Sequence, residues 1–239
     1  NAIASGDSEI VIAGGQENMS LAMHAGYMRK ASKFGDQTLK DLMIYDGLTD
    51  VFSALHMGIT AENIAEKFSI DRAAQDKLAL NSQLKAAKAQ NAGKFKGEIH
   101  PIEVQSRKEA IIVDSDEGIR GDTTLEKLNP AFKKDGTVTA GNASTINDGA
   151  AALLIASEEA VKKYNLKPMA VIRSYASCGV DPTIMGTGPV PASRKALEKA
   201  GWSVDDLDLI EANEAFAAQA EYVNREMGWD LNKVNINGG

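Results

Sequence analysis

Cysteine occurs once in these 239 residues, as Cys178. That excludes an internal disulfide framework and fits a reducing, cytoplasmic compartment. Long apolar runs are missing too. None approaches the roughly 20 residues of a membrane helix, so no membrane partner is expected. Basic residues are outnumbered, 26 Lys and Arg against 33 Asp and Glu, for a net charge of −7. This argues against general nucleic-acid binding. His24 and His100 have no Cys, Asp or Glu at metal-ligand spacing. Neither a GxxxxGK[ST] phosphate loop nor a GxGxxG dinucleotide turn is present. What remains is 44% hydrophobic and 25% charged, a globular composition long enough for one large domain or two small ones.

The first residue is Asn, with no signal-peptide pattern after it. Residues 1–4 read as the last turns of a helix closed by Gly6. The last residues, Gly238-Gly239, follow the strand-like Val234–Asn237. We expect an internal piece of a longer protein, incomplete at both ends.

Along the chain, Glu9–Ala13 reads as a short buried strand with Gly14-Gly15 as its exit, half of a βαβ unit. Gln16–Gly58 reads as an excursion, and a loop this long usually serves function or an interface. Thr60 is the expected cap of a short helix to Lys67. Ser69 is the expected cap of a longer one to Gly93, with Asp71 in its first turn and Ala73, Leu80, Leu84 and Ala87 facing the core. Lys94–Val113 reads as strands and Asp114–Gly136 as turns. Ala150–Ala156 reads as a fully buried strand, followed by a helix from Ser157. Lys167-Pro168 marks a boundary. Met169–Ile172 reads as a strand. Pro191 and Gly201 bracket a helix. The pattern helix, Gly, strand around Gly6 echoes that around Gly228, as a duplicated α/β architecture would.

Three stretches carry chemistry. Leu207–Ile210 reads as a buried strand, and Phe216, Ala220, Val223 and Met227 form one helical stripe. Asn213 falls at the switch between them. It is either a helix cap or an amide orienting a water or a carbonyl in the crevice beyond a strand end. Thr139–Ala150 packs small residues around Asn142, Ser144 and Asn147. It is either a turn before a strand or a place where a ligand approaches the backbone closely. His56-Met57-Gly58 precedes a helix and is either structural or functional. Cys178 has no adjacent His and no cue for activation, so it is rejected as a nucleophile.

The segment Glu211-Ala212-Asn213-Glu214-Ala215-Phe216-Ala217 resembles the Asn-Glu-Ala-Phe block of the thiolases, and the rest of the chain matches that family in order. The resemblance implies α/β architecture: duplicated αβαβα layers with a large inserted loop domain. It divides the chain into the end of an N-terminal domain (1–18), a loop domain for coenzyme A binding and oligomerisation (19–140), a return to the N-terminal domain (141–166), and a C-terminal domain (167–239).

Most similar are the members that act on short acyl groups. They condense two acetyl-CoA to acetoacetyl-CoA plus coenzyme A, or the reverse, through an acyl-cysteine. Coenzyme A thioesters are then substrates, with no covalently bound cofactor and no metal. By resemblance Asn213 and His56 are catalytic. Ser144, Ala140 and Ala143 line the pantetheine tunnel, and Met57 and Met185 narrow the acyl pocket so that only a short chain fits. Leu48, Phe132, Ala215 and Phe216 line coenzyme A, while Arg120 lies on the adenine unless it is a plain solvated residue. The stretch Asp122–Leu128 is shortened relative to the family.

The family's acylated Cys and its Gly-His-Pro His fall outside these residues, so the 239 residues alone are expected to be inactive. The segment Ala25–Leu42 is expected to serve a homotetramer, a dimer of dimers, or else to be a surface loop. Alternatives are a non-catalytic coenzyme A-binding or interface fragment, and a 3-ketoacyl-CoA thiolase of broader chain length. A third alternative is a related condensing synthase, against which the Asn-Glu-Ala-Phe block argues, because those relatives carry His where Asn213 stands.

Overall fold

The structure is a computed structural model. It describes residues 1–27, 29, 34–105, 109–122, 124, 125 and 128–239. Parts of three sequence expectations therefore lie outside the described residues: 28 and 30–33 of the association segment, 106–108 of the Lys94–Val113 strands, and 123, 126 and 127 of the shortened stretch. The chain divides into two compact units, Asn1–Thr49 with Ile146–Tyr175, and Asp50–Thr145 with Ala176–Gly239.

The first unit is built on a two-stranded ribbon. Strand β1 (Ile10–Asn18) pairs antiparallel with a nine-residue strand, Asp148–Ala156, from Ile10 opposite Ala156 to Asn18 opposite Asp148. The pairing is antiparallel, so β1 is not half of a βαβ unit with this partner. Nor are Gly14-Gly15 an exit. A Cβ at Gly14 would lie 2.5 Å from the Ala151 carbonyl oxygen, so glycine serves close strand approach here.

The strand expected at Ala150–Ala156 exists but is not buried. Leu153 and Leu154 are 66% and 58% exposed, because among the described residues no layer of this unit covers either face of the ribbon. A two-residue pair, β2 (His24–Ala25) with β3 (Lys40–Asp41), and a π-helical turn at Met43–Gly47 complete the excursion. The helix Glu158–Lys163 begins as expected, with the Ser157 hydroxyl accepting the Ala160 N–H at 3.1 Å. Met169–Ile172 is no strand. Among the described residues no strand pairs with it, and Met169 is fully exposed.

The second unit is organised around a helix at Ala217–Met227. In chain order its helices are α1 (Met57–Lys67), α2 (Arg72–Asn91), α4 (Pro189–Ala200) and α5 (Ala217–Met227), with Glu158–Lys163 of the first unit as α3. Its strands are β4 (Ile102–Gln105) and β5 (Ala110–Val113), a hairpin, with Asp148–Ala156 as β6. Helix α5 packs against α1, α2 and α4. Its stripe is buried as the periodicity predicts, with Ala220, Val223 and Met227 at 5%, 1% and 6% exposure.

Each packing partner meets a different part of α5. Val223 and Met227 join Val190, Ile210, Trp229 and Val234. Ala218 meets Ile64, Ala65 and Ile70 of the α1 side. Ala217 meets Ala79 of α2 and Leu125. Alanines at the start of α5 let two helices come close, and burying Val223 and Met227 stabilises by about 1.5–3 kcal/mol each.

Several local expectations are corrected. The cap of α1 is His56, not Thr60, whose hydroxyl donates to the Met57 carbonyl at 2.7 Å. Asp71, not Ser69, caps α2, because Ser69 sits at φ +53° outside the helix. The buried face of α2 is Gln75, Ala79, Ser82 and Ala89. Ala73 and Leu84 point outward, since the loops packed on α2 offer hydrogen bonds to Gln75 and Ser82. Pro189 occupies the first position of α4, two residues before Pro191, and Gly201 closes it at φ +70°. Leu207–Ile210 and Val234–Asn237 are not strands. Among the described residues their one pairing is a parallel bridge between Ile210 and Val234, and Leu209 is 61% exposed.

Candidate functional site

The stretch Thr137–Ser144 is fixed from beneath by buried polar side chains. Glu62 of α1, 4% exposed, accepts the Thr137 N–H at 2.9 Å, the Val138 N–H at 2.9 Å and the Thr137 hydroxyl at 3.0 Å. Asn142, 2% exposed, accepts the Thr139 N–H at 2.8 Å. It donates to Asp76 at 2.9 Å and to the Thr137 carbonyl at 3.1 Å. Asp76 in turn pairs with Arg72 at 2.6 Å, and Arg72 donates to the Leu125 carbonyl at 2.8 Å. A buried carboxylate or amide that loses such partners is costly, so the network specifies one loop conformation.

This stretch lies beside the Asn-Glu-Ala-Phe segment. Ala143 and Phe216 form an antiparallel bridge. The Ser144 N–H donates to Ala215 O at 2.9 Å, the Ala217 N–H donates to Asn142 O at 2.8 Å, and the Ser144 hydroxyl donates to Glu214 O at 3.2 Å. The Ser144 oxygen keeps lone pairs with which to accept an N–H from a ligand. Phe216, not Asn213, is the cap residue of α5. Three residues before that cap, Asn213 is exposed, and no described group bonds its amide.

Ser144, Ala212, Asn213, Glu214, Ala215 and Asn235 line an open cleft of about 270 Å³, together with Glu211 and Gly239. The cleft offers an amide, a hydroxyl and carboxylates on a floor of small residues. That suits an extended ligand bearing amides and carbonyls.

His56 is joined to this region through aromatic rings. Its ring stacks on Phe132 at 4.8 Å, and Phe132 meets Phe216 edge-on at 6.2 Å. Gly58 makes this stack possible, since a Cβ there would run into the Phe132 ring. His56 Nδ1 accepts the Gly58 N–H at 3.0 Å, which assigns the proton of the neutral ring to Nε2. Burial pushes the His56 pKa below the ordinary imidazole value of 6.5. The ring is thus a neutral donor at physiological pH.

The remaining predicted positions are more scattered. Met57 starts α1 half-buried. Met185 is 50% exposed in a tight turn at Pro182–Thr187 that packs on α1 and α5. Neither lines the cleft, nor does Ala140, which is exposed. Arg120 is exposed. Its backbone N–H donates to the Gln83 side chain of α2 at 2.7 Å, and among the described residues no ring meets its guanidinium. Leu48 belongs to the first unit, where its N–H closes the π-helical turn on Ile44 O at 3.1 Å.

The sequence reading missed Glu62, Asp76 and Asn235. Glu62 could have been found, as a carboxylate set among Ala61, Ile64 and Ala65 of a buried helix face. Asn235 gave no such signal, because it lies in an irregular segment.

Comparison with known proteins accounts for this layout. The family model for the thiolase N-terminal domain matches residues 1–159, and that for the thiolase C-terminal domain matches residues 166–239. The acetyl-CoA acetyltransferase of Paracoccus denitrificans is 61% identical over 237 residues, covering 98% of this chain and 61% of that protein. The enzyme of the same name from Rhizobium meliloti is 57% identical over 240 residues, covering 99% of this chain and 61% of its own. Among solved structures, human mitochondrial 3-ketoacyl-CoA thiolase superposes with a TM-score of 0.95 at 49% identity, over 100% of this chain and 61% of that one. The fold is therefore a thiolase fold, and the chain belongs to the thiolase family. It spans about 61% of the length of the curated relatives it matches.

Proposed function

We propose that these residues form part of the acyl-transfer site of a thiolase acting on short coenzyme A thioesters. The observation that carries this reading is the placement of the open Asn213 amide and the Ser144 hydroxyl in one cleft. In the proposed reaction a cysteine thiolate displaces coenzyme A from acetyl-CoA and holds the acetyl group. A second acetyl-CoA gives a methyl proton to a second cysteine of the complete enzyme, acting as base. Its enolate carbon attacks the acetyl carbonyl, and the cysteine leaves as acetoacetyl-CoA forms.

Asn213 holds a water that donates to the enolate oxygen, a stabilisation worth about 3–4 kcal/mol per donor. Ser144 accepts a pantetheine N–H, Ala143, Ala215 and Phe216 line the chain, and Phe132 supports the wall at which His56 donates from Nε2. The nucleophile is not Cys178, which is half-buried on a stretch without regular structure and does not line the cleft. The 239 residues by themselves are accordingly expected to show no turnover.

Exposed Tyr27, Phe34 and Leu39 support association of subunits through the segment Ala25–Leu42, within the proposed homotetramer. The single cysteine supports the cytoplasmic setting. Among the described residues no helix is long and apolar enough to cross a membrane.

The test is Asn213→Ala in the complete protein. Thiolysis of acetoacetyl-CoA should lose about 100-fold or more in kcat while coenzyme A binding changes little. An unchanged kcat refutes the role. A second reading, a thiolase of broader chain length, is favoured by the 50% exposure of Met185 away from the cleft. Equal kcat/KM for acetoacetyl-CoA and a long-chain 3-ketoacyl-CoA would establish it.

A further inference from the structure

Asn235 is 2% exposed and stands at φ +43°, in the left-handed region. Asparagine tolerates that conformation better than most residues, but glycine would meet it without strain. Its side chain supplies the reason for an amide here. Oδ1 accepts the Ala212 N–H at 2.8 Å. Nδ2 donates to the Ala212 carbonyl at 2.8 Å and to the Glu214 carboxylate at 2.6 Å. Both donors of the amide are used, and the side chain pairs with residue 212 as a neighbouring strand would.

The same segment is held from its other side, where Ser144 bonds the carbonyls of Glu214 and Ala215. Asn213 is thus bracketed. Its two neighbours are fixed by four side-chain bonds, and its own amide is left open to the cleft.

We propose that Asn235 is a positioning residue that sets the aim of the Asn213 amide, and that the Glu214 carboxylate completes the clamp. The proposal rests on the reading of Asn213 given above. It says that activity depends on an amide that lines the cleft but works through its neighbour. A misplacement of about 1 Å at such a group is enough to cost on the order of a hundredfold in rate.

The test compares Asn235→Gly, Asn213→Ala and the double variant in the complete protein. Glycine keeps the left-handed backbone, so Asn235→Gly removes the clamp without adding strain. Asn235→Gly is expected to lower kcat for acetoacetyl-CoA thiolysis by about tenfold to a hundredfold, with KM within about threefold. In the Asn213→Ala background the same change should have no further effect. Independent, multiplicative losses would overturn the proposal, as would an Asn235→Gly variant with unchanged kcat beside a damaged Asn213→Ala.

If Asn213→Ala itself leaves kcat unchanged, the reading of Asn213 fails, and the clamp is judged by amide hydrogen exchange. Exchange at Ala212 about tenfold faster or more in Asn235→Gly supports it, and unchanged exchange overturns it. A second substitution guards against misfolding. Asn235→Asp keeps the acceptor but sets a carboxylate against Glu214, so its kcat should be restored in part by Glu214→Gln. No restoration would count against the clamp.

Discussion

Strands β1 and β6 carry some of the most apolar runs in the chain, yet Ile12, Leu153 and Leu154 lie well exposed. The stretches around α5 carry asparagines, threonines and a glutamate, yet Glu62, Thr139, Asn142 and Asn235 are almost wholly buried. Hydropathy alone would have exchanged the two. The ribbon is ordered by backbone pairing along nine residues. The site segments have almost no backbone ladder of their own and are ordered by side-chain hydrogen bonds from α1, α2 and one another. Buried polar groups of this kind specify a conformation because any other leaves them unpaired.

The sharpest way to break this contrast is Glu62→Ala. It leaves two backbone N–H groups and the Thr137 hydroxyl without their acceptor. A loss of about 3–5 kcal/mol in chemical unfolding of the complete protein is expected, and a loss below about 1 kcal/mol would show that Glu62 does not order the Thr137–Val138 stretch. Next comes Gly58→Ala, whose Cβ collides with the Phe132 ring. Overpacking of that kind should cost about 1–3 kcal/mol and separate His56 from Phe132. A crystal structure of the variant with the stack intact would contradict it.

A smaller effect concerns pH. Because burial depresses the His56 pKa, the folded protein binds fewer protons than the unfolded chain just below the ordinary value of 6.5. This contribution to stability is complete above 6.5 and is lost as pH falls through the folded pKa, and protonation of Nδ1 also breaks the cap to Gly58. A His56→Asn variant keeps an N-cap that does not titrate. Its melting temperature should therefore fall less than the wild type's between pH 7 and about 5. Parallel curves would show that His56 does not report this burial.

The smallest effect is expected at Leu153→Thr, within about 0.5 kcal/mol for an exposed strand position. A loss of about 2 kcal/mol would instead show that this face of the ribbon is covered in the assembled protein.

Helix ends and stripes were legible where local chemistry decides them. Ser157, Gly201 and the α5 stripe behave as their residue types dictate. Thr60 and Ser69 were misleading because Thr60 bonds within its own helix, while Ser69 takes a left-handed turn just before Asp71. The apolar runs at Met169–Ile172 and Leu207–Ile210 show a tendency to extend. A strand also needs a partner, and that is decided elsewhere in the chain. The site's small-residue and Asn-Glu-Ala-Phe blocks could be picked out from sequence, but the supports beneath them could not. Glu62 and Asn142 lie 80 residues apart, and Asn235 reaches back to Ala212 from the far side of α5.

The central claim is that Ser144 and Asn213 share one cleft for a coenzyme A thioester. Hydrogen exchange of the complete protein with and without saturating coenzyme A tests it most directly. Slower exchange is expected in peptides spanning 142–145 and 211–216, with β1 and β6 unchanged. Unaltered exchange in both site peptides, with protection only on the ribbon, would contradict it.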